Sequence, residues 1–387
     1  VNPVHEIHSS GLRGYRRCRQ EWDWHYRENW EPIKKPEALE DGTVWHAALQ
    51  ALYNPETWAL SLKELHGLAH AALMQETNKQ LSEYLERSGK HQLDEDEALE
   101  YADRVDLLRS MLVKLCRSLE REKYRPLFVE QEFQCPILNE LGQQLTCRCA
   151  SCQNQMLQSG HDAPRSTALW AVGLPVVFSC RIDAGFEDQE GYVYAVDHKS
   201  TSILYKPDSV IPELEDQLPS YLWCLKQSGY NVTGVILNQF RKAYPKSPKR
   251  LERMTNGRLY SVNKMQLTDY DVARPTFMRG DARAYQHGLY NDYLQWLQEF
   301  GPVFARQFSF FKTPEQLAII GQNILLQARE VIDEGPSIYP DPHRINCDRC
   351  AFQSPCLAKQ GGHDYRGELE ASFVQSEPYY IRRRQVS

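Results

Sequence analysis

The 387-residue sequence has no run of about 18 apolar residues, the length a membrane-crossing helix needs, and its first residues are polar and charged. Neither a membrane span nor a secretion signal is expected, and the chain reads as soluble and intracellular. Positive charge is not in excess: 45 Lys and Arg stand against 51 Asp and Glu, a net charge of -6. Binding a polyanion through overall charge is thereby excluded, whereas a local basic channel is not. No Gly-x4-Gly-Lys-Ser/Thr segment occurs, so the chain has no recognisable nucleotide-hydrolysing motor of its own. Cysteine is not scarce. With eleven in a large intracellular chain, those that cluster are better read as metal ligands or core thiols than as disulfides.

The stretch that organises the chain is Arg181-Ile182-Asp183-Ala184-Gly185, followed by Val193 to Lys199. β-Branched and aromatic residues on either side of a turn at Gly191 predict neighbouring strands over Phe178–Phe186 and Tyr192–Lys199. Side chains alternate along a strand, so Asp197 and Lys199 share one face while His198 turns to the other. Two carboxylates beside a lysine could hold Mg²⁺ against a phosphate, with Lys199 orienting or helping to deprotonate a water. The chemistry implied is phosphodiester hydrolysis. Taken alone, the same pattern also describes a solvated sheet edge.

Around this centre, residues 9–30 combine Ser9 or Ser10 as a helix cap, the cations Arg13, Arg16, Arg17 and Arg19, the thiol Cys18, and Trp22, Trp24, Tyr26 and Trp30. The arginines form a solvated or phosphate-contacting face. A helix opening near Asp41 or Thr43 carries His46. Leucine spacing predicts helices within 60–122, with Leu62, Leu65, Leu68, Ala72 and Leu73 on one apolar face and the series from Leu99 to Leu119 on another. The acidic cluster Asp94–Glu97 suits the start of the second.

Leu127–Gln134 predicts a strand on which Glu130 or Glu132 could be a further ligand or simply exposed. Cys147, Cys149 and Cys152 could grip one soft metal, with His161 or Cys135 as the fourth donor, in a zinc knuckle. Glu213–Gln227 reads as a helix with Leu214, Leu218, Leu222 and Leu225 inward, placing Gln217 and Tyr221 on one face where both could reach a phosphate. After a strand over Val232–Phe240, Arg241–Arg258 holds seven Lys or Arg against one acid, and its prolines predict a basic loop. Residues 282–333 are helical and aromatic-rich. Cys347, Cys350 and Cys356 form C-x2-C-x5-C, lacking one ligand for zinc or an iron–sulfur cluster, and Cys18 is the natural fourth.

Together these residues resemble the PD-(D/E)XK nuclease superfamily, in the branch of RecB- and AddB-type nuclease domains and the iron–sulfur nucleases of CRISPR adaptation. Gly42 to His46 is similar to that branch's G-x-x-x-H helix, Asp183 to its first acid, Asp197-His198-Lys199 to D/E-x-K, and Gln217 with Tyr221 to Q-x-x-x-Y. Ile182 stands where the superfamily name has proline. The resemblance implies an α/β fold, a mixed central sheet flanked by helices, and Mg²⁺ or Mn²⁺ at His46, Asp183, Asp197 and the His198 carbonyl. It further implies that Lys199 positions the water, that Gln217 and Tyr221 align the strand, and that Cys18, Cys347, Cys350 and Cys356 bind a 4Fe-4S cluster.

The expected organisation is an N-terminal segment over 1–53, a helical subdomain over 54–126, the nuclease core over 127–270 with a cysteine-rich insertion at 142–177, and C-terminal helices, cysteine motif and tail over 271–387. The expected function is a DNA exonuclease of recombination, repair or degradation, cytoplasmic or virus-encoded and acting with a helicase or recombination partner. The readings left open are an endonuclease, a CRISPR-adaptation nuclease, a non-catalytic nucleic-acid-binding module and a redox sensor.

Overall fold

The computed structural model describes residues 4–117, 119, 121–149, 152–153, 173–332 and 337–377. His161, most of the insertion and the arginines at 382–384 lie outside these. Seven strands make one mixed sheet: β1 (His5–His8), β2 (Tyr124–Pro136), β3 (Thr146–Cys147), β4 (Leu174–Asp188), β5 (Val193–Thr201), β6 (Gly234–Arg241) and β7 (Ala305–Phe310). The order is β1-β4-β5-β6-β7, with β2 and β3 on the other edge of β4. Strands β1 and β4, and β5 and β6, run parallel, while β4–β5, β2–β4 and β6–β7 are antiparallel.

Because β4 is covered on both faces, it is almost continuously apolar, from Leu174 and Val176 through Phe178 to Ile182. Gly185 has a specific reason to lack a side chain. Phe128 lies opposite it on β2, and a Cβ at residue 185 would stand 2.2 Å from the Phe128 ring.

Helices cover both faces. Helix α1 (Ser9–Arg17), α5 (Gln217–Gln227) and α6 (Pro314–Ile332) pack on one side, where Leu12, Leu218, Leu222, Leu225, Ile324 and Leu325 meet Phe178 and Leu237. On the other side α2 (Glu37–Leu52), α3 (Leu62–Ser88) and α4 (Glu95–Arg117) bring Trp45, Leu49, Leu65, Leu73 and Leu112 against Ala184, Val196 and Phe240. Among the described residues no helix is long and apolar enough to cross a membrane. Helix α3 begins at a capping box in which Ser61 and Glu64 satisfy each other's backbone N–H, and ends at Gly89 with φ 66°.

Several expected boundaries shift. Helix α2 opens at Glu37 behind Pro36, a turn before Asp41, and α1 starts at Ser9 itself with no side-chain cap from Ser9 or Ser10. The helix expected over 213–227 is two: Ile211–Leu214, then α5, which leaves Leu214 exposed. Leu62 and Leu68 likewise face solvent, since the buried ridge of α3 is Leu65, Ala69, Leu73 and Thr77, and so does Leu99 on α4, whose buried residues begin at Val105. The basic segment after β6 is a two-stranded ribbon, Arg250–Thr255 with Arg258–Tyr260, because Asn256-Gly257 adopts positive φ at its turn.

The N- and C-terminal regions meet. Trp30–Pro32 pairs antiparallel with Phe373–Gln375, and Trp24, Trp30, Phe352, Leu369 and Phe373 form a small separate core with Cys350 and Cys356 packed on it.

Candidate active site

Strands β4 and β5 pair only from Ala184–Val196 to Glu187–Val193, and then part. Asp183 and Asp197 are the next residues past that fork. The backbone N–H of His198, which no longer has a ladder partner on β4, donates instead to Asp183 Oδ2 at 2.6 Å. Asp197 is fully buried. Its Oδ1 accepts from Lys199 Nζ at 2.9 Å, while its Oδ2 is buried with no hydrogen-bond partner among the described residues.

The histidine arrives from α2. Asp41, near the start of that helix, accepts from Arg104 at 3.0 Å and from Lys242 at 2.9 Å, tying α2 to α4 and to the segment after β6. Trp45 and Leu49 are buried against the sheet, which leaves His46 on the flank facing the fork. Its Nδ1 stands 3.4 Å from Asp183 Oδ1 and 3.1 Å from Glu130 Oε1. A Cβ at Gly42 would meet nothing within 4 Å, so this glycine, one turn before His46, keeps the approach open rather than relieving a clash.

Glu130 is thus a member of the site, and Glu132 is not. Glu130 is half-buried, and His46, Glu130 and Asp183 present ligand atoms within 4.8 Å of one another. Glu132 instead accepts from Ser179 Oγ at 2.8 Å. Two features of β2 place Glu130: a register shift between Pro126 and Phe128, and a backbone φ of 45° at Glu130 itself. A glutamate held in the left-handed region opposite another carboxylate is strained twice over, as expected where function rather than stability chose the residue. Glu130→Gly is therefore expected to raise the unfolding free energy in EDTA by about 1 kcal/mol while weakening Mn²⁺ binding. Urea unfolding and Mn²⁺ titration check the two halves separately.

The electrostatics match a cation site. Burial first, and the Asp197 charge with it, push the Asp183 carboxyl up to about 7 despite the opposing His46 and Lys199. Burial alone would lower His46, yet Asp183 and Glu130 outweigh it and hold the imidazole up at about 9. His46, Glu130 and Asp183, with Asp197 beside them but outside the ligand atoms that lie within 4.8 Å of one another, are an oxygen-rich donor set that fits Mg²⁺ or Mn²⁺.

Lys199 is held from two sides, by Asp197 and by Gln217 Oε1 at 3.2 Å, and Gln217 Nε2 donates to the Tyr221 hydroxyl at 2.5 Å. Tyr221 is almost fully buried, and burial with the Asp197 and Asp183 charges pushes its phenol well up. The expected pair on one face of α5 is present, but it forms a relay behind Lys199. The His198 ring points to the opposite face, stacked on Tyr53 at 5.3 Å, and burial drives its pKa well down.

The model of the PD-(D/E)XK nuclease superfamily matches residues 9–357. The chain belongs to the PD-(D/E)XK nuclease superfamily. As a member it is a nuclease of the metal-dependent kind, and its mixed sheet flanked by helices is consistent with that superfamily's fold. No curated protein matches it. Within this PD-(D/E)XK chain, α3 has a role that its sequence did not disclose. It walls a groove of about 1030 Å³ that runs to His46 and Glu130, lined on that side by Glu76, Lys79, Glu83 and Arg87.

Two further clusters lie away from the fork. His5 joins Cys147, Cys149 and Cys152, with all four ligand atoms within 4.8 Å of one another. Cys18 is close enough to act electrostatically on both Cys350 and Cys356, and Cys347 on Cys356. Burial first, then these neighbours, raise Cys356, and burial pushes Cys350 up to about 12. Cys18 interrupts the N-terminal helices in an extended conformation, which turns its thiol out of the helical repeat.

Proposed function

We propose that this protein is a metal-dependent DNA exonuclease. The observation that carries the reading is the convergence of His46, Glu130 and Asp183 at the strand fork, with Asp197 and Lys199 beside them. His46, Asp183 and Asp197, with the His198 carbonyl, would hold Mg²⁺ or Mn²⁺, and Glu130 is a further donor on the same side. When bound, the cation neutralises the scissile phosphate and acidifies a water.

The remaining work falls to the chain's own groups. Lys199 fixes a positive charge where negative charge grows on the phosphoryl oxygens, and orients the attacking water. Gln217 keeps the ammonium in place, and Tyr221 keeps Gln217 from rotating. Arg13, exposed on α1 and near enough to Lys199 for the two cations to repel, supplies a contact for an adjacent phosphate. The preference for strand ends follows from the enclosure of the fork by α2 and α3 on one side and by α1 on another.

The reading includes a structural 4Fe-4S cluster at Cys18, Cys347, Cys350 and Cys356. Among the described residues no three of these thiols bring their sulfurs within 4.8 Å of one another, whereas the cluster at His5 does. Backbone and side-chain N–H groups already point at two of the sulfurs, from His343 to Cys347 at 3.3 Å and from Gln360 to Cys356 at 3.2 Å.

The deciding experiment compares end-labelled linear and closed circular single-stranded DNA, with Mn²⁺ or EDTA, using anaerobically purified protein. Loss of the linear substrate alone, in Mn²⁺ alone, is expected. Loss of the circle would make the enzyme an endonuclease. Binding of either DNA without cleavage, and no cleavage of duplex DNA, would make it a non-catalytic module.

A further inference from the structure

The nuclease site leaves His5, Cys147, Cys149 and Cys152 unexplained. Strand β3 ends at Cys147 and pairs with the beginning of β4, Thr146 with Pro175 and Cys147 with Leu174. Across β4, on its other edge, β1 runs parallel with His5 beside Val176. Two segments far apart in sequence therefore reach the same end of one strand. There His5 Nδ1 lies 3.0 Å from Cys152 Sγ, and Cys149 Sγ lies 3.5 Å from Cys152 Sγ.

These separations suit one shared ion. A disulfide would hold its sulfurs at about 2.05 Å, and none of the eleven cysteines is joined in one. A tetrahedral zinc with Zn–S bonds of about 2.3 Å spaces its sulfurs about 3.8 Å apart, close to what is found. Cys147 and Cys152 are each 1% exposed, so unpartnered thiolates here would be costly, and one cation would resolve them. The Cys149 backbone N–H already approaches Cys147 Sγ at 3.5 Å, the kind of amide contact that orients a metal-bound thiolate. Gly173, where the chain returns to β4, has φ 92°, and a Cβ there would stand 2.7 Å from the Cys147 carbonyl oxygen. Glycine lets the returning chain close against the ligand-bearing turn.

We infer that His5, Cys147, Cys149 and Cys152 form a structural zinc site. Three thiolates and one imidazole with no open position are the donor set of a closed, non-catalytic Zn²⁺ centre. The fourth ligand is His5, in place of the His161 or Cys135 considered from sequence: Cys135 sits instead in a buried pair with Cys224. The ion staples the edge strand β1 to the base of the insertion. Because β1 runs directly into α1, it also fixes the helix that carries Arg13 and leads to Cys18.

Zinc and iron are measured by plasma mass spectrometry on the full chain, purified anaerobically without added metal, with circular dichroism as the check of folding. His5→Ala and Cys149→Ala are each expected to lower zinc by one equivalent per chain without changing iron, and His5→Cys to keep it. A protein without zinc, a zinc content unchanged by His5→Ala, or loss of the ion on His161→Ala instead would overturn the assignment. Should His5→Ala fail to fold, the Co²⁺-loaded protein and its His5→Cys variant decide. The thiolate-to-cobalt absorption is expected to grow by about one third as three sulfur ligands become four, and an unchanged band would be contrary to it.

Discussion

Lys199→Ala is expected to lower the single-turnover rate of DNA cleavage about 10²–10³-fold, the usual cost of removing one pre-aimed donor to a developing oxyanion, with Mn²⁺ affinity and folding preserved. Burial acts to lower the Lys199 pKa, but the Asp197 and Asp183 carboxylates beside it outweigh that and leave it raised. Both carboxylates therefore favour the charged ammonium. In the proposed mechanism it is a fixed cation and a water-orienting donor rather than the group that removes the water's proton. Lys199→Arg should not restore the rate, since a planar guanidinium cannot replace a compact ammonium between Asp197 Oδ1 and Gln217 Oε1. Asp183→Asn provides the contrast, with rate and Mn²⁺ affinity falling together. Quenched-flow cleavage with a Mn²⁺ titration separates the two patterns, and wild-type cleavage by Lys199→Ala would remove this residue from the site.

Cys350→Ser is expected to have the second large effect, on stability rather than on chemistry. The proposed cluster would join Cys18 to a motif more than three hundred residues away, and around it the two regions are also held by a three-residue strand pair, the Trp24 core and the contacts of Lys359 with Gln20 and of Arg366 with Glu28. A ligand present at a hundred times its dissociation constant adds about 2.7 kcal/mol to folding stability, so loss of the cluster should lower the melting temperature by several degrees. Iron content and the visible absorption of the cluster should vanish together in Cys350→Ser and in Cys18→Ser. Limited proteolysis should then cut the terminal module before the sheet. Iron retained in both variants would count against this ligand set.

Most of the departures from expectation share a cause. Leu214 and Leu68 fit an apolar period yet face solvent, because local spacing cannot reveal that Asp216 restarts the helix or which ridge of α3 the sheet covers. Glu130 and Glu132 share one face of an ideal strand, so alternation does not separate them. A left-handed residue within β2, which no run of neighbours announces, aims one of them at His46. For His5 the only available sign was a histidine in the first strand, since its thiol partners follow after more than a hundred intervening residues.

The linear order of residues by itself determined what depends on neighbours: the strand-forming runs of β4 and β5, the helical periods of α3 and α4, the Asp197-x-Lys199 face, the i to i+4 pairing of Gln217 with Tyr221, and the close spacing of the thiols. Only the tertiary structure decided what depends on register and divergence. It set where β4 and β5 part so that Asp183 captures the His198 amide, which glutamate completes the acids, that α3 walls the groove, and that His5 meets Cys152. The physical reason is that short-range geometry is carried by a few consecutive dihedral angles, whereas a ligand set assembled across strands depends on the packing of the whole sheet.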